Sequence, residues 1–162
     1  VEIVTRQYKV YEFKELSEDA QEKAIEELYD INADYDWWDC TEEDAKIIGL
    51  DITEFDLNRN TIKGKFLIDA KDIADDIVES HGKLCKTHQI AKRYLEQIAL
   101  LGEDENSELT PEDLDEEFEF ELLAEYLSIL RDEYEYITSR EGIVETIENN
   151  EYRFTSDGSL FR

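Results

Sequence analysis

Proline occurs once in these 162 residues, glycine six times, cysteine and histidine twice each, and methionine not at all. One proline and scattered glycines leave no Pro- or Gly-rich linker, so a single domain over residues 1–162 is expected at this length. Two cysteines, Cys40 and Cys85, do not make a disulfide framework, and they fit a reducing cytoplasm. No apolar run approaches transmembrane length, and no signal-peptide core is present. The chain begins at Val1, so an initiator Met, or more, is expected to have been removed. Basic residues are scarce too. Seventeen Lys and Arg face 44 Asp and Glu, for a net charge of −27 and a pI near 4.2. Such a field repels nucleic acid and anionic membranes and attracts basic surfaces.

Catalytic signatures are also missing. There is no Gly-rich phosphate loop, nucleophile elbow or metalloprotease helix motif. Carboxylates are so numerous that any two could pass for an acid/base pair, so that signal carries no weight. An enzyme is not expected, nor is a cofactor.

What is present suffices for a core: 41% of residues are hydrophobic, with two Trp, nine Tyr and seven Phe. The alternation in Arg6–Phe13 predicts a strand. Ser17 is placed to cap a helix with Glu18 and Asp19 in its first turn and Ala20, Ala24, Leu28 and Ile31 facing inward. A second helix follows "ADYDWWDC", with Thr41 a candidate cap and Gly49 its stop. "DITEFDLN" and "TIKGKFLI" flank Arg59-Asn60 as a hairpin. Asp69 caps a third helix, with Ile73, Ala74, Ile77 and Val78 inward and His81-Gly82 as its end. Leu84–Leu101 reads as a fourth. Thr110-Pro111 opens a long helix to about Tyr134, with Asp113 placed for a capping box. Ser139 caps a last helix to Asn149, and the chain closes with a small hairpin around "SDG". The expected class is α+β: a mostly helical domain with a small antiparallel sheet.

The long helix carries Asp113, Glu117, Glu121 and Glu125 four residues apart, with no base among them. Each like-charge pair at that spacing costs about 0.2–0.5 kcal/mol. Glu117→Lys and Glu121→Lys are therefore each expected to hold or raise stability. Similar rows occur at Glu22, Glu26 and Asp30, at Asp72, Asp75, Asp76 and Glu79, and at Glu141, Glu145 and Glu148. One reading is a solvated face that keeps the protein soluble, and another is adaptation to high salt. The functional reading is imitation of a nucleic-acid backbone, since a duplex carries one phosphate per 3.4 Å of each strand. In "DYDWWD", Asp34, Asp36 and Asp39 surround Trp37 and Trp38. Either one Trp is core and the other half-buried, or one is a contact anchor for an Arg-rich partner. "HGKLCKTH" sets His81, Cys85 and His88 at spacings compatible with part of a zinc site, although a buried Cys85 with partly exposed histidines is the preferred reading. No metal is expected. Lys83, Lys86, Lys92 and Arg93 form the densest basic patch and are expected to pair with the protein's own acids.

"YEFKELSEDAQEKAIEELYDINADYDWWD", "HGKLCKTHQIAKRYL" and "LRDEYEYITSREGIVETIENNEYRFTSDGSL" resemble parts of small acidic proteins encoded by bacteriophages and prophages. The resemblance covers most of the chain. Those proteins carry a Gly- and aromatic-rich strand segment after the second helix, where this chain has the charged "DITEFDLNRNTIKGKF". The resemblance implies a cytoplasmic counter-defence protein of the anti-CRISPR or anti-restriction type. Its expected partner is a basic nucleic-acid-binding protein or complex of the bacterial host, with no direct contact to nucleic acid or membrane. The alternative is an acidic antitoxin-like or accessory protein that neutralises another basic partner. A metal-dependent regulator built on His81, Cys85 and His88 is a third reading.

Overall fold

Ser17 and Ser139 each start a helix by satisfying a backbone N–H that has no partner within the helix. Ser17 Oγ accepts from Ala20 N–H at 3.2 Å and Ser139 Oγ from Gly142 N–H at 3.1 Å. The helices they open are α1 (Glu18–Glu27) and α6 (Arg140–Asn149). Between them run α2 (Asp39–Ile47), β1 (Leu50–Asp56), β2 (Thr61–Phe66), α3 (Ala70–Ser80), α4 (Lys86–Glu103) and α5 (Pro111–Ile137). This computed structural model describes Val1–Arg162, and its class is α+β: mostly helical, with one two-stranded antiparallel sheet. No helix is long and apolar enough to cross a membrane. The chain divides into two compact units, one of Val1–Trp37 with Glu133–Arg162 and one of Trp38–Asp132.

The first unit is built on Phe13, Leu16, Ala20, Ala24, Ile143, Ile147 and Phe154. The predicted strand Arg6–Phe13 does not form. Only Tyr11 pairs, exchanging both backbone hydrogen bonds with Phe154 at 2.8 and 2.9 Å. Phe154 bridges Leu160 on its other side, so the predicted C-terminal hairpin is also reduced to a single bridge. Alternation proposes a strand, but a ladder needs a neighbour of matching length, and one residue of neighbour is all that is offered. Gly158, at φ +91°, lies against the backbone of Ala20, where a Cβ would come within 2.1 Å of the carbonyl oxygen. α1 stops at Glu27 with Leu28 as its cap, earlier than predicted, so Asp30 and Ile31 lie in the following turns. Asn32 accounts for this. Its amide donates to the carbonyls of Ile137 (2.9 Å) and Gly142 (3.2 Å) and its oxygen accepts from Thr146 (2.7 Å), a set of bonds that another helical turn would forfeit.

In the second unit α5 presents Leu114, Phe118, Leu122, Leu123 and Tyr126 to a core shared with Ile48, Leu50, Ile73, Ile77 and Tyr94. Tyr94 stacks on Phe118 with ring centroids 4.5 Å apart. The predicted capping box is present: Asp113 N–H donates to Thr110 Oγ1 at 3.2 Å and Thr110 N–H to the Asp113 carboxylate at 3.0 Å. Thr41 is not a cap. Trp38 holds that position, and Thr41 is buried inside α2. Gly49, at φ +99°, turns the chain from α2 into β1. The hairpin pairs Leu50 with Phe66 and Asp56 with Thr61, with a bulge between Ile52 and Glu54. Its loop is Leu57–Asn60 rather than the two residues expected. The Asp56 carboxylate accepts from the N–H groups of Asn58 and Arg59, Asn60 sits at φ +56°, and Arg131 donates to Leu57 O and Asn60 Oδ1.

Candidate partner-binding face

The long helix does not display an open acidic row. Asp113 is engaged in its own cap. Glu121 is ion-paired with Arg93, and Glu125 with Lys86 at 3.7 Å, both bases coming from α4. The Glu125 side chain keeps only 14% of its exposure. Glu117 alone of the four is exposed with neither an ion pair nor a cap bond. The line of like charges on α5 is therefore half of a two-helix arrangement, and the expected pairing of the basic patch holds for Lys86 and Arg93. Lys86 is the first residue of α4, where the helix dipole disfavours a cation. Glu125 offsets that cost. Further along α4, the Tyr94 hydroxyl donates to Asp115, and burial followed by this bond raises the phenol above its ordinary range.

On the first unit, Glu22 is paired with Arg140 at 2.6 Å. Glu26 is exposed on α1, whereas Asp30 lies beyond the helix end and does not continue its row. Asp34 and Asp36 are exposed in the turns before α2, and Asp39 is its exposed first residue. Neither Trp is fully buried. Trp37 lies 5.5 Å from the Tyr134 ring in the first unit, and Trp38 lies 6.0 Å edge-on to Phe55 in the second. The expectation that one indole is core is corrected: adjacent positions serve different units, and each ring is half-buried.

Two rows remain without ion pairs: Glu141, Glu145 and Glu148, exposed on α6, where Glu145 accepts from the Tyr136 hydroxyl, and a longer row on α3. Asp72, Asp75, Asp76 and Glu79 are all exposed on α3, and no base forms an ion pair with any of them. At 100° per residue they share an arc of about 100°, opposite the buried Ile73, Ala74 and Ile77. They span about 10 Å of helix axis, a mean axial spacing of about 3.5 Å. The steps are uneven, about 4.5, 1.5 and 4.5 Å, so it is the mean charge density along the axis that is close to that of one DNA strand. The row was visible in the sequence, but its distinction from the α5 row depends on where the bases of α4 point.

His81, Cys85 and His88 do not converge, and no group of three metal-ligating side chains is present. The burial pattern reverses the expectation at two of the three: Cys85 is exposed and His88 is buried, while His81 is half-buried as expected. His88 Nδ1 donates to the His81 carbonyl at 2.9 Å, and His81 Nδ1 lies 2.7 Å from Thr87 Oγ1. The turn at Gly82 delays α4 to Lys86 and leaves Cys85 as its exposed cap. No protein-family model, curated protein or solved structure matches the chain.

Proposed function

We propose that this chain is a phage-type inhibitor that imitates the charge of nucleic acid and occupies the basic groove of a host defence nuclease complex, acting in the bacterial cytoplasm. The observation that carries the reading is the unpaired α3 row, whose mean charge density along the helix axis is close to that of one DNA strand. A solvated face needs no such density. It is served equally well by the internally paired acids of α5. The α3 row is the primary contact, with Glu117 of the same unit as supporting charge. A basic groove that closes on these carboxylates loses affinity steeply with salt, since the exposed charges are screened.

The test is competition. The protein is captured on candidate CRISPR and restriction complexes, and duplex DNA is added as competitor. Mutual displacement is expected. Neutralising the row (Asp72→Asn, Asp75→Asn, Asp76→Asn and Glu79→Gln together) should abolish inhibition while the fold is retained. Unchanged inhibition by that variant sinks the reading. Capture of a basic partner that DNA does not displace replaces it with the antitoxin-like alternative.

A further inference from the structure

A cleft of about 650 Å³ opens in the second unit between the ends of α2 and α3, the start of α4 and the middle of α5. Its walls include Asp44, Ile47, His81, Thr87, Tyr126 and Ile129. The volume is in the range of small-molecule sites. None of the four α3 row carboxylates lines it, so the site stands apart from the nucleic-acid-mimic reading.

Its charges nearly cancel, with one exception. Lys86 is at the rim, but Glu125 is 3.7 Å away and three-quarters or more buried, so that pair is neutral as a unit. His81 is held by Thr87, and burial lowers its pKa, which keeps the imidazole neutral. Asp44 forms no ion pair. It lines the cleft, and its field reaches both His81 and Tyr126. The phenol of Tyr126 is pushed up to about 12, by burial first and by Asp44 second. α2 and α3 both end here, at Ile47 and Ser80, and α4 starts here at Lys86, so two negative dipole ends face one positive end and the balance adds to the sign of Asp44. Ile47, 79% exposed, and the half-buried Ile129 supply apolar surface beside this charge.

We propose that this cleft binds a small organic cation, an ammonium or guanidinium on an apolar stem, with its head on Asp44 and its stem along Ile47 and Ile129. An anion would face Asp44 unpaired. A metal ion would lack a set of convergent ligands.

The experiment is a titration of the full chain followed by amide NMR, at about 0.15 M salt so that distant charges are screened. The probes are phenethylamine, a blocked arginine (acetyl-arginine methylamide) and benzoate. Phenethylamine or the blocked arginine is expected to shift Asp44, His81, Thr87 and Tyr126 saturably, and benzoate not. Asp44→Asn, at an exposed position that leaves the fold intact, should weaken binding about tenfold or more, as loss of a charge-assisted hydrogen bond does. Asp72→Asn on α3 should leave it unchanged. Tighter binding of the amine assigns the site to a free small molecule, and tighter binding of the blocked arginine assigns it to a side chain of a protein partner. Shifts that spread over the acidic helices without saturating, saturation by benzoate instead, or equal affinity in Asp44→Asn would each overturn the proposal.

Discussion

The pairing of α5 with α4 can be weighed by a double-mutant cycle on Arg93 and Glu121. The gross attraction of two charges at contact distance near a protein surface is about 4 kcal/mol at an effective dielectric of 20. Most of it is offset by desolvation and by immobilising two long side chains, leaving about 0.2–1 kcal/mol for exposed pairs. The side chains here keep 54% and 30% of their exposure, so the upper half of that range is expected. The cycle uses Arg93→Ala, Glu121→Ala and the double variant, unfolded in urea. Its difference cancels the repulsion of Glu121 by Glu117 and Glu125, which single variants do not. A coupling of about 0.5–1 kcal/mol is expected, corresponding to roughly 1–4 °C in melting temperature. A companion cycle between Arg93 and Glu117 should give none. The expectation that Glu121→Lys stabilises is thereby revised: it removes two repulsions along α5 but sets an ammonium against Arg93, so the gain disappears. Glu117→Lys keeps its gain of a few tenths of a kcal/mol. If the Arg93–Glu121 coupling is no larger than that with Glu117, the acids of α5 are not neutralised from α4, and the ranking of α3 over α5 as the open row falls.

Gly142→Ala should lower stability by about 1–3 kcal/mol or more in the same urea assay, because the new methyl would lie 2.2 Å from the Tyr136 carbonyl oxygen. A variant as stable as the parent would show that this approach of α6 to the preceding turn is looser than described. The unfolded chain protonates His81 before the folded one does, since burial lowers the folded pKa, opposed by Asp44 and reinforced by His88. His81 therefore contributes stability above pH ~6.5 that is lost as pH falls below it. His81→Gln should flatten the stability profile below about pH 6.5, and an unaltered slope would remove His81 from the acid response. Cys40 and Cys85 are both exposed, so a thiol reagent should titrate both in the native protein. Protection of Cys85 until denaturant is added would restore the buried-cysteine reading.

Local signals in the sequence were reliable where the partner lies within a few residues. The Thr110–Asp113 box, the caps at Ser17 and Ser139 and the left-handed Gly49 are of this kind. Thr41 and the length of the hairpin loop were local failures, and the larger ones occurred where the partner is distant. Arg6–Phe13 has the composition of a strand but pairs at Tyr11 alone. The end of α1 is decided by Asn32 reaching residues 105 to 114 positions away, which no window of periodicity contains. The acidic rows were legible as rows. Which of them is open was not, because the rotation of α4 that turns Lys86 and Arg93 toward Glu125 and Glu121 is a property of packing. The His81, Cys85 and His88 reading failed for a smaller reason: a two-residue shift in where α4 begins exchanges exposed and buried faces.

The β1–β2 hairpin divides its residues by side. Ile62 and Phe66 pack on the core, and Gly64 between them has no room for a side chain: a Cβ would meet the Asp51 carbonyl oxygen at 2.7 Å and Leu123 Cδ2 at 2.9 Å. Thr61, Lys63 and Lys65 alternate with them and are exposed. Mutation is therefore tightly constrained at every second position of β2 and nearly free at the others. A lineage could exchange the charge on this strand repeatedly without rebuilding the fold beneath it. Divergence among descendants should collect at 61, 63 and 65 while position 64 stays glycine.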